Sequence, residues 1–234
     1  ISRKLQEKKM LPAIMFVFSR KKAQSYAEEI EANLLPEDIK VNIENECKKS
    51  LMKLPNYKEF IRLPEYEFMI KLLEKGVAVH HSGIIPILRE MIEILFSKGY
   101  IKLLFATETF SVGLNMPTKT VLFSNVNKFD GSEKRFLHSH EYTQQAGRAG
   151  RRGFDTKGHV IHINNLFDVP PVTEYKCMLA NKPDKLTSKF RLSFQYILNS
   201  VPIYQNKALE YTSTSMVAQD IICETSQLKK ELAE

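Results

Sequence analysis

Residues Gln144 to Gly153 read QQAGRAGRRG, three arginines and three glycines in ten positions. Arginine is always charged and presents a planar fork of donors that matches phosphate oxygens. Glycine costs a helix about 1 kcal/mol per residue relative to alanine. A helix over 144–151 puts Gln144, Arg148 and Arg151 at i, i+4 and i+7 on one face. Gly147 and Gly150 then leave the flank beside the arginines bare, so that a second surface or a phosphate chain can approach closely. The plainer alternative is a basic, solvated helix end with glycine caps. Two glycines beside an aligned Gln/Arg/Arg face favour phosphate chemistry.

A complete nucleotide site also needs a glycine-rich loop with a lysine, and an acid to hold magnesium. The pattern GxxxxGK[ST] does not occur. GFDTKGH, Gly153 to His159, comes near it, but His159 stands at the lysine position. It also precedes an apolar run, whereas a phosphate loop follows a strand, so a turn or hairpin is the better reading. No DExD or DExH sequence is present. The chain carries arginines for a phosphate without a cradle for it, which implies half a site whose other half lies on a different domain.

The elements that must position these residues follow from short apolar runs. Strands are expected over Pro12 to Ser19, Val77 to Ser82, Ile101 to Thr107, Lys119 to Val126 and His159 to Ile163. A helix is expected from about Arg20, with Ser19 as N-cap and Ala23, Ala27, Ile30 and Leu34 at helical spacing. Another runs from Pro86 to Lys98, with Leu88, Met91, Ile92 and Leu95 on one face. A third lies around Glu141. This alternation predicts an α/β domain with a parallel sheet and helices on both faces. Ligands of such sheets bind beyond the carboxyl ends of the strands, where Ser19, Arg20, His81 to Gly83, Thr107 and the loop after Val126 fall. Residues 35–63 are polar and read as an insertion. From about Thr173 the pattern turns helical, so the expected division is 1–172 and 173–234, the second part an incomplete domain.

Lys plus Arg number 34 and Asp plus Glu 27, a net charge of +7 with pI near 9.2. That favours an anionic partner, RNA or DNA first, although solubility alone would account for it. Cys47, Cys177 and Cys223 form no CxxC pair, so neither a metal site nor a disulfide framework is indicated, and a reducing, intracellular compartment fits. No apolar run approaches the roughly 20 residues that span a bilayer. The chain begins at Ile1 without methionine, as a piece of a longer protein would.

QQAGRAGRRG resembles motif VI of superfamily 2 helicases, QxxGRxGR. LFATETFSVGLNMP (Leu104 to Pro117) is similar to their motif V, and FVFSRKKAQSYA (Phe16 to Ala27) to their motif IV. The span from Gly76 to Phe123 resembles the superkiller and exosome-cofactor type of DExH RNA helicase along its whole length. NKFDG, RAGRRGFDTKG and KLTSKFRLSFQYILNS add to the likeness. It covers most of the chain and is weakest in 35–63 and after Val201.

The resemblance implies the second of two RecA-like domains that face each other across an ATP cleft, followed by the helical start of a winged-helix domain. The first RecA-like domain, the partner in the same protein, would hold ATP and Mg2+. Arg148 and Arg151 would reach its γ-phosphate, with Arg151 as the arginine finger, and Gln144 would orient water or couple the domains. Gly113, Asn115 and Gly147 would lie near the nucleotide; other helicase branches carry Asp at the Asn115 position. The other edge of the same loops would grip RNA. Thr107 offers a hydroxyl and neighbouring N–H groups, Ser19 and Arg20 open a helix whose N-terminus attracts anions, and His81 and Gly83 border the strand tips.

NKFDGSEKRFL carries an Asp130-Gly131 hairpin signal with Phe129 and Phe136 on its arms. Related enzymes part strands with such a hairpin, and aromatics stack on unpaired bases; packing of both rings into the domain is the equal alternative. The expected function is the C-terminal motor domain of an ATP-dependent 3′ to 5′ RNA helicase, inactive alone, with an RNA-degradation or RNA-processing complex as an expected partner. A repair-type DNA helicase and a non-catalytic RNA-binding adaptor on the same scaffold stay open.

Overall fold

The five apolar runs become five short parallel strands. The computed structural model describes residues 1–53, 56–111, 118–180, 190, 193–204 and 207–232. In chain order the elements are α1 (Ser2–Glu7), β1 (Ala13–Phe16), α2 (Arg20–Glu28), α3 (Glu37–Leu51), α4 (Tyr57–Ile61), α5 (Pro64–Glu74), β2 (Val77–His80), α6 (Pro86–Ser97) and β3 (Leu103–Ala106). A 3-10 turn at Glu108–Ser111 follows. Then come β4 (Thr120–Phe123), β5 (Asn127–Phe129), β6 (Lys134–Phe136), α7 (Ser139–Ala146), β7 (His159–His162) and α8 (Val172–Leu179). The main sheet has the order β2-β3-β1-β4-β7, all pairs parallel. β5 and β6 form a separate antiparallel hairpin.

Because side chains alternate along a strand, each strand feeds two cores. Ile14, Phe16, Leu104, Val121 and Phe123 face one side, against Leu88, Met91, Ile92 and Leu95 of α6. Ala13, Met15, Leu103, Phe105 and Leu122 face the other, against Ala23 and Ala27 of α2. Every residue of β1 to β4 is buried, as expected for a parallel sheet covered on both faces.

Two expectations change. The α2 helix ends at Glu28, so Ile30 and Leu34 lie beyond it. Leu34 is buried by pairing its N–H with the Lys75 carbonyl at 3.0 Å instead. Residues 35–63 are not a loose insertion. They supply α3 and α4, and Ile43, Cys47 and Leu51 of α3 are buried with Tyr66, Met69 and Leu73 of α5. The i, i+4, i+8, i+12 stripe of Ile39, Ile43, Cys47 and Leu51 is the reason.

The chain forms two compact units, Ile1–Pro183 and Asp184–Glu234. The expected cut at 172/173 falls at the first residue of α8, whose Met178 is buried in the core of the first unit. In the second unit, α9 (Phe194–Tyr204), α10 (Ala208–Ser213) and α11 (Met216–Glu231) carry much exposed apolar surface, including Ile203, Ile221 and Ile222.

Candidate phosphate and strand-contact sites

The helix expected over 144–151 stops early. α7 ends at Ala146, with Gly147 as its C-cap. Beyond it the backbone finds a nonlocal partner. The Thr118 N–H donates to the Arg148 carbonyl at 2.8 Å, and the Gly150 N–H donates to the Thr118 carbonyl at 2.6 Å. Thr118 and Ala149 thus form a parallel bridge. Gly150 adopts φ +94°, which L side chains rarely reach. The returning chain crosses here: a Cβ on Gly158 would sit 2.5 Å from the Ala149 carbonyl oxygen, and one on Gly150 would be 3.3 Å from the Gly158 Cα. Gly150 therefore permits a backbone crossing, and does not bare a helix flank. Gln144 is exposed on the last turn of α7, while Arg148 and Arg151 lie past it, so the three do not share a helical face.

Arg151 is tied to its own turn. Its Nε donates to Asp155 Oδ2 at 2.7 Å and its Nη2 to Oδ1 at 2.9 Å. The Arg151 side chain keeps 34% exposure while the Asp155 side chain keeps 5%. The guanidinium holds the Asp155 carboxyl well below its usual range, at about 2. The 153–158 stretch is a turn leading into β7, as the misplaced His159 implies.

The two sets of candidate residues occupy opposite ends of the sheet. Thr118 Oγ1 donates to the Pro12 carbonyl at 2.6 Å, immediately before β1. Residues 148–150, bridged to Thr118, are therefore at the amino ends of β1 and β4. Ser19, His81 to Gly83 and Thr107 follow the carboxyl ends of β1, β2 and β3. A four-residue strand separates the two by about 13 Å.

At the carboxyl ends, Arg20 Nη2 donates to Ser82 Oγ at 2.8 Å, drawing the tips after β1 and β2 together. Arg20, Ser82, Thr107, Lys128 and Phe129 line a cleft of about 170 Å³. Thr107 pairs its hydroxyl with that of Thr109 at 3.1 Å. Ser19 is the N-cap of α2, accepting from the Lys22 N–H at 3.4 Å. His81 departs from the expected grip. It is 4% exposed, and its Nδ1 accepts the Gly83 N–H at 3.1 Å while its Nε2 faces the Gln24 amide at 3.3 Å. Burial, with the nearby Arg20 charge, lowers the pKa of the ring. Its work is to hold the turn that presents Gly83. The hairpin splits its two rings: Phe129 is 63% exposed, and Phe136 packs against the core.

Glu141, which the sequence places only on a helix, joins these parts through Lys128 and Arg135 of the hairpin. Glu141, in the first turn of α7, accepts from Arg135 Nη1 and Nη2, both at 2.9 Å, from Lys128 Nζ at 2.7 Å and from the His138 N–H at 2.9 Å. Lys128 also meets Glu108 at 2.6 Å. Burial opposes the charge on Glu141, but Arg135 and Lys128 outweigh it and hold its carboxyl down at about 2. The capping-box spacing of His138 to Glu141 carries half of this signal; the hairpin partners do not show in the sequence. Gly113 and Asn115 lie outside the described residues. Among the described residues no group of three or more His, Cys, Asp or Glu could hold a metal ion, and no helix is long and apolar enough to cross a membrane.

The parallel α/β lobe thus carries an arginine-bearing crossing at one end of its sheet and a small cleft holding Arg20 at the other. The chain belongs to the helicase conserved C-terminal domain family, which it matches over residues 34–153. It is 45% identical over 201 residues to the antiviral helicase SKI2 of Saccharomyces cerevisiae, covering 85% of this chain and 15% of that protein. It is 41% identical over 207 residues to the exosome RNA helicase MTR4 of Homo sapiens, with 85% and 19% covered. With the ATP-dependent RNA helicase mtr4 of Schizosaccharomyces pombe, identity is 56% over 128 residues, with 55% and 11% covered. The chain thus spans less than a fifth of the length of these relatives. The match confirms the RecA-like α/β fold.

Proposed function

We propose that this chain is the second motor lobe of an ATP-dependent 3′ to 5′ RNA helicase. Arg151 is its arginine finger, Arg148 a second cation toward the triphosphate, and Gln144 the group that orients water or couples the lobes. A first RecA-like lobe of the same protein holds ATP and Mg2+; the acids for that ion come from there. Gly147 lies on the nucleotide side, and Gly113 and Asn115 are assigned to the nucleotide by their likeness to motif V. Arg20, Thr107, the N-terminus of α2 at Ser19, the Gly83 backbone and Phe129 contact the RNA strand. These groups are assigned to the RNA backbone and to stacking, so sequence preference is expected to be weak. The helices α9 to α11 begin a winged-helix domain, and the whole protein works inside the cell with an RNA-degradation or RNA-processing complex, a reading supported by the similarity to an exosome RNA helicase.

One observation carries this reading. The arginine turn and the cleft beside Arg20 lie at opposite ends of β1 and β4, with α7 running between them, Glu141 at one end and Arg148 just past the other. Two ligands can be held at once and their occupancies coupled through one helix.

The test is unwinding by the full-length protein with ATP. A duplex with a 3′ single-stranded RNA tail is expected to open, and to open at least about tenfold more slowly with a 5′ tail, where a 3′ to 5′ motor has no loading strand, or as all DNA, which lacks the 2′-OH that lets a protein tell RNA from DNA. Equal opening of the DNA duplex would favour a repair-type DNA helicase. RNA binding without unwinding or hydrolysis would favour an adaptor.

A further inference from the structure

The Arg151 guanidinium is held on one edge only. A guanidinium has five N–H donors in a fixed plane. Two of them, on Nε and Nη2, are taken side-on by Asp155 at 2.7 and 2.9 Å. The remaining three, two on Nη1 and one on Nη2, have no partner among the described residues. One from each nitrogen makes a second, end-on fork that suits two phosphate oxygens.

The acid itself is fixed from several sides. Asp155 Oδ2 also accepts the Arg151 backbone N–H at 3.0 Å. The Phe154 and Asp155 N–H groups both return to the Arg151 carbonyl, at 3.0 and 2.9 Å. The Phe154 ring lies 5.8 Å from the guanidinium carbon. The carboxylate is thus almost fully covered while the cation it holds stays a third exposed. A pair serving only the turn would gain nothing from leaving one prong of the fork outward.

We propose that Asp155 is a positioning residue for phosphoryl transfer: it grips the side-on edge of Arg151 and turns the end-on edge toward the triphosphate. This rests on the assignment of Arg151 as the arginine finger. The long arginine side chain loses much rotamer freedom when it reaches across a cleft. Asp155 imposes that ordering before ATP arrives, so the cost does not fall on the transition state, which needs positioned charge.

The experiment uses the full-length protein with Asp155→Asn, Asp155→Glu, Arg151→Ala and the Arg151→Ala/Asp155→Asn double variant. Asp155→Asn is expected to lower kcat for ATP about 10- to 100-fold while KM for ATP and RNA affinity stay within about threefold. Affinity for ADP with aluminium fluoride, which mimics the transferring phosphoryl group, should fall by a similar factor, and affinity for ADP alone should not. On the Arg151→Ala background the Asn substitution should cost nothing further, because its target is gone. Asp155→Glu keeps the charge and displaces the guanidinium, and is expected to lose about tenfold in kcat with its melting temperature held. It carries the test if Asp155→Asn does not fold. Wild-type hydrolysis and aluminium-fluoride binding in either Asp155 variant would overturn the proposal, as would a further loss on the Arg151→Ala background. Normal hydrolysis by Arg151→Ala would overturn the finger assignment as well, whereas a dead Arg151→Ala beside an unimpaired Asp155→Asn would overturn the positioning role alone.

Discussion

Lys128 of the hairpin donates to Glu141 of α7 at 2.7 Å, and both side chains are about 15% exposed. The β5–β6 hairpin is therefore fastened to the first turn of the helix that ends just before Arg148. Arg135 adds a two-pronged contact to the same carboxylate, and Glu108 extends the network to the turn after β3. Lys128 thus bridges Glu108, after β3, and Glu141, in the first turn of α7.

Glu141→Gln is expected to destabilise the lobe by about 1 to 3 kcal/mol at pH 7, because it leaves two partly covered cations short of a charged acceptor. The loss depends on pH in a defined direction. Glu141 is held at about 2 in the fold against 4.5 for a free carboxyl, so its contribution is complete above about pH 4.5 and lost as pH falls toward 2. Denaturant unfolding of both proteins from pH 7 to pH 2 should show a constant gap down to about pH 5 that narrows below it. A gap that widens toward acid would contradict the network.

The hairpin aromatics should separate binding from stability. Phe129→Ala, at a 63% exposed position, is expected to leave the melting temperature almost unchanged, as surface substitutions do. It should also slow RNA unwinding by the full-length protein about tenfold through loss of a base-stacking face. Phe136→Ala, packed against the core, should cost about 2 to 3 kcal/mol of stability. Thermal denaturation and unwinding of both variants check the pair; equal effects on both readouts would place the two rings in the same role.

The strands were legible because β1 to β4 are buried on both faces, which gives unbroken runs such as AIMF and TVLF that need no partner to be recognised. Fold class follows from their alternation with α2 and α6. The arginine turn was legible in composition but not in shape. Its backbone pairs with Thr118, about thirty residues away, and is crossed by Gly158, so no local pattern reveals that α7 ends at Ala146. The α3 helix escaped because charged residues surround its apolar stripe of Ile39, Ile43, Cys47 and Leu51. Asp155 and Glu141 escaped for a related reason: a carboxylate shows its importance only through the cations that the fold brings to it.

The central claim is that this lobe lends a guanidinium to a triphosphate held by another lobe. Single-turnover ATP hydrolysis by the full-length protein carrying Arg151→Ala, with RNA affinity measured on the same preparation, tests it most directly. Hydrolysis should fall by about 10³-fold or more, the usual worth of an arginine finger, while RNA affinity stays within about threefold of wild type. Hydrolysis near the wild-type rate, whether or not RNA binding is lost, would contradict it.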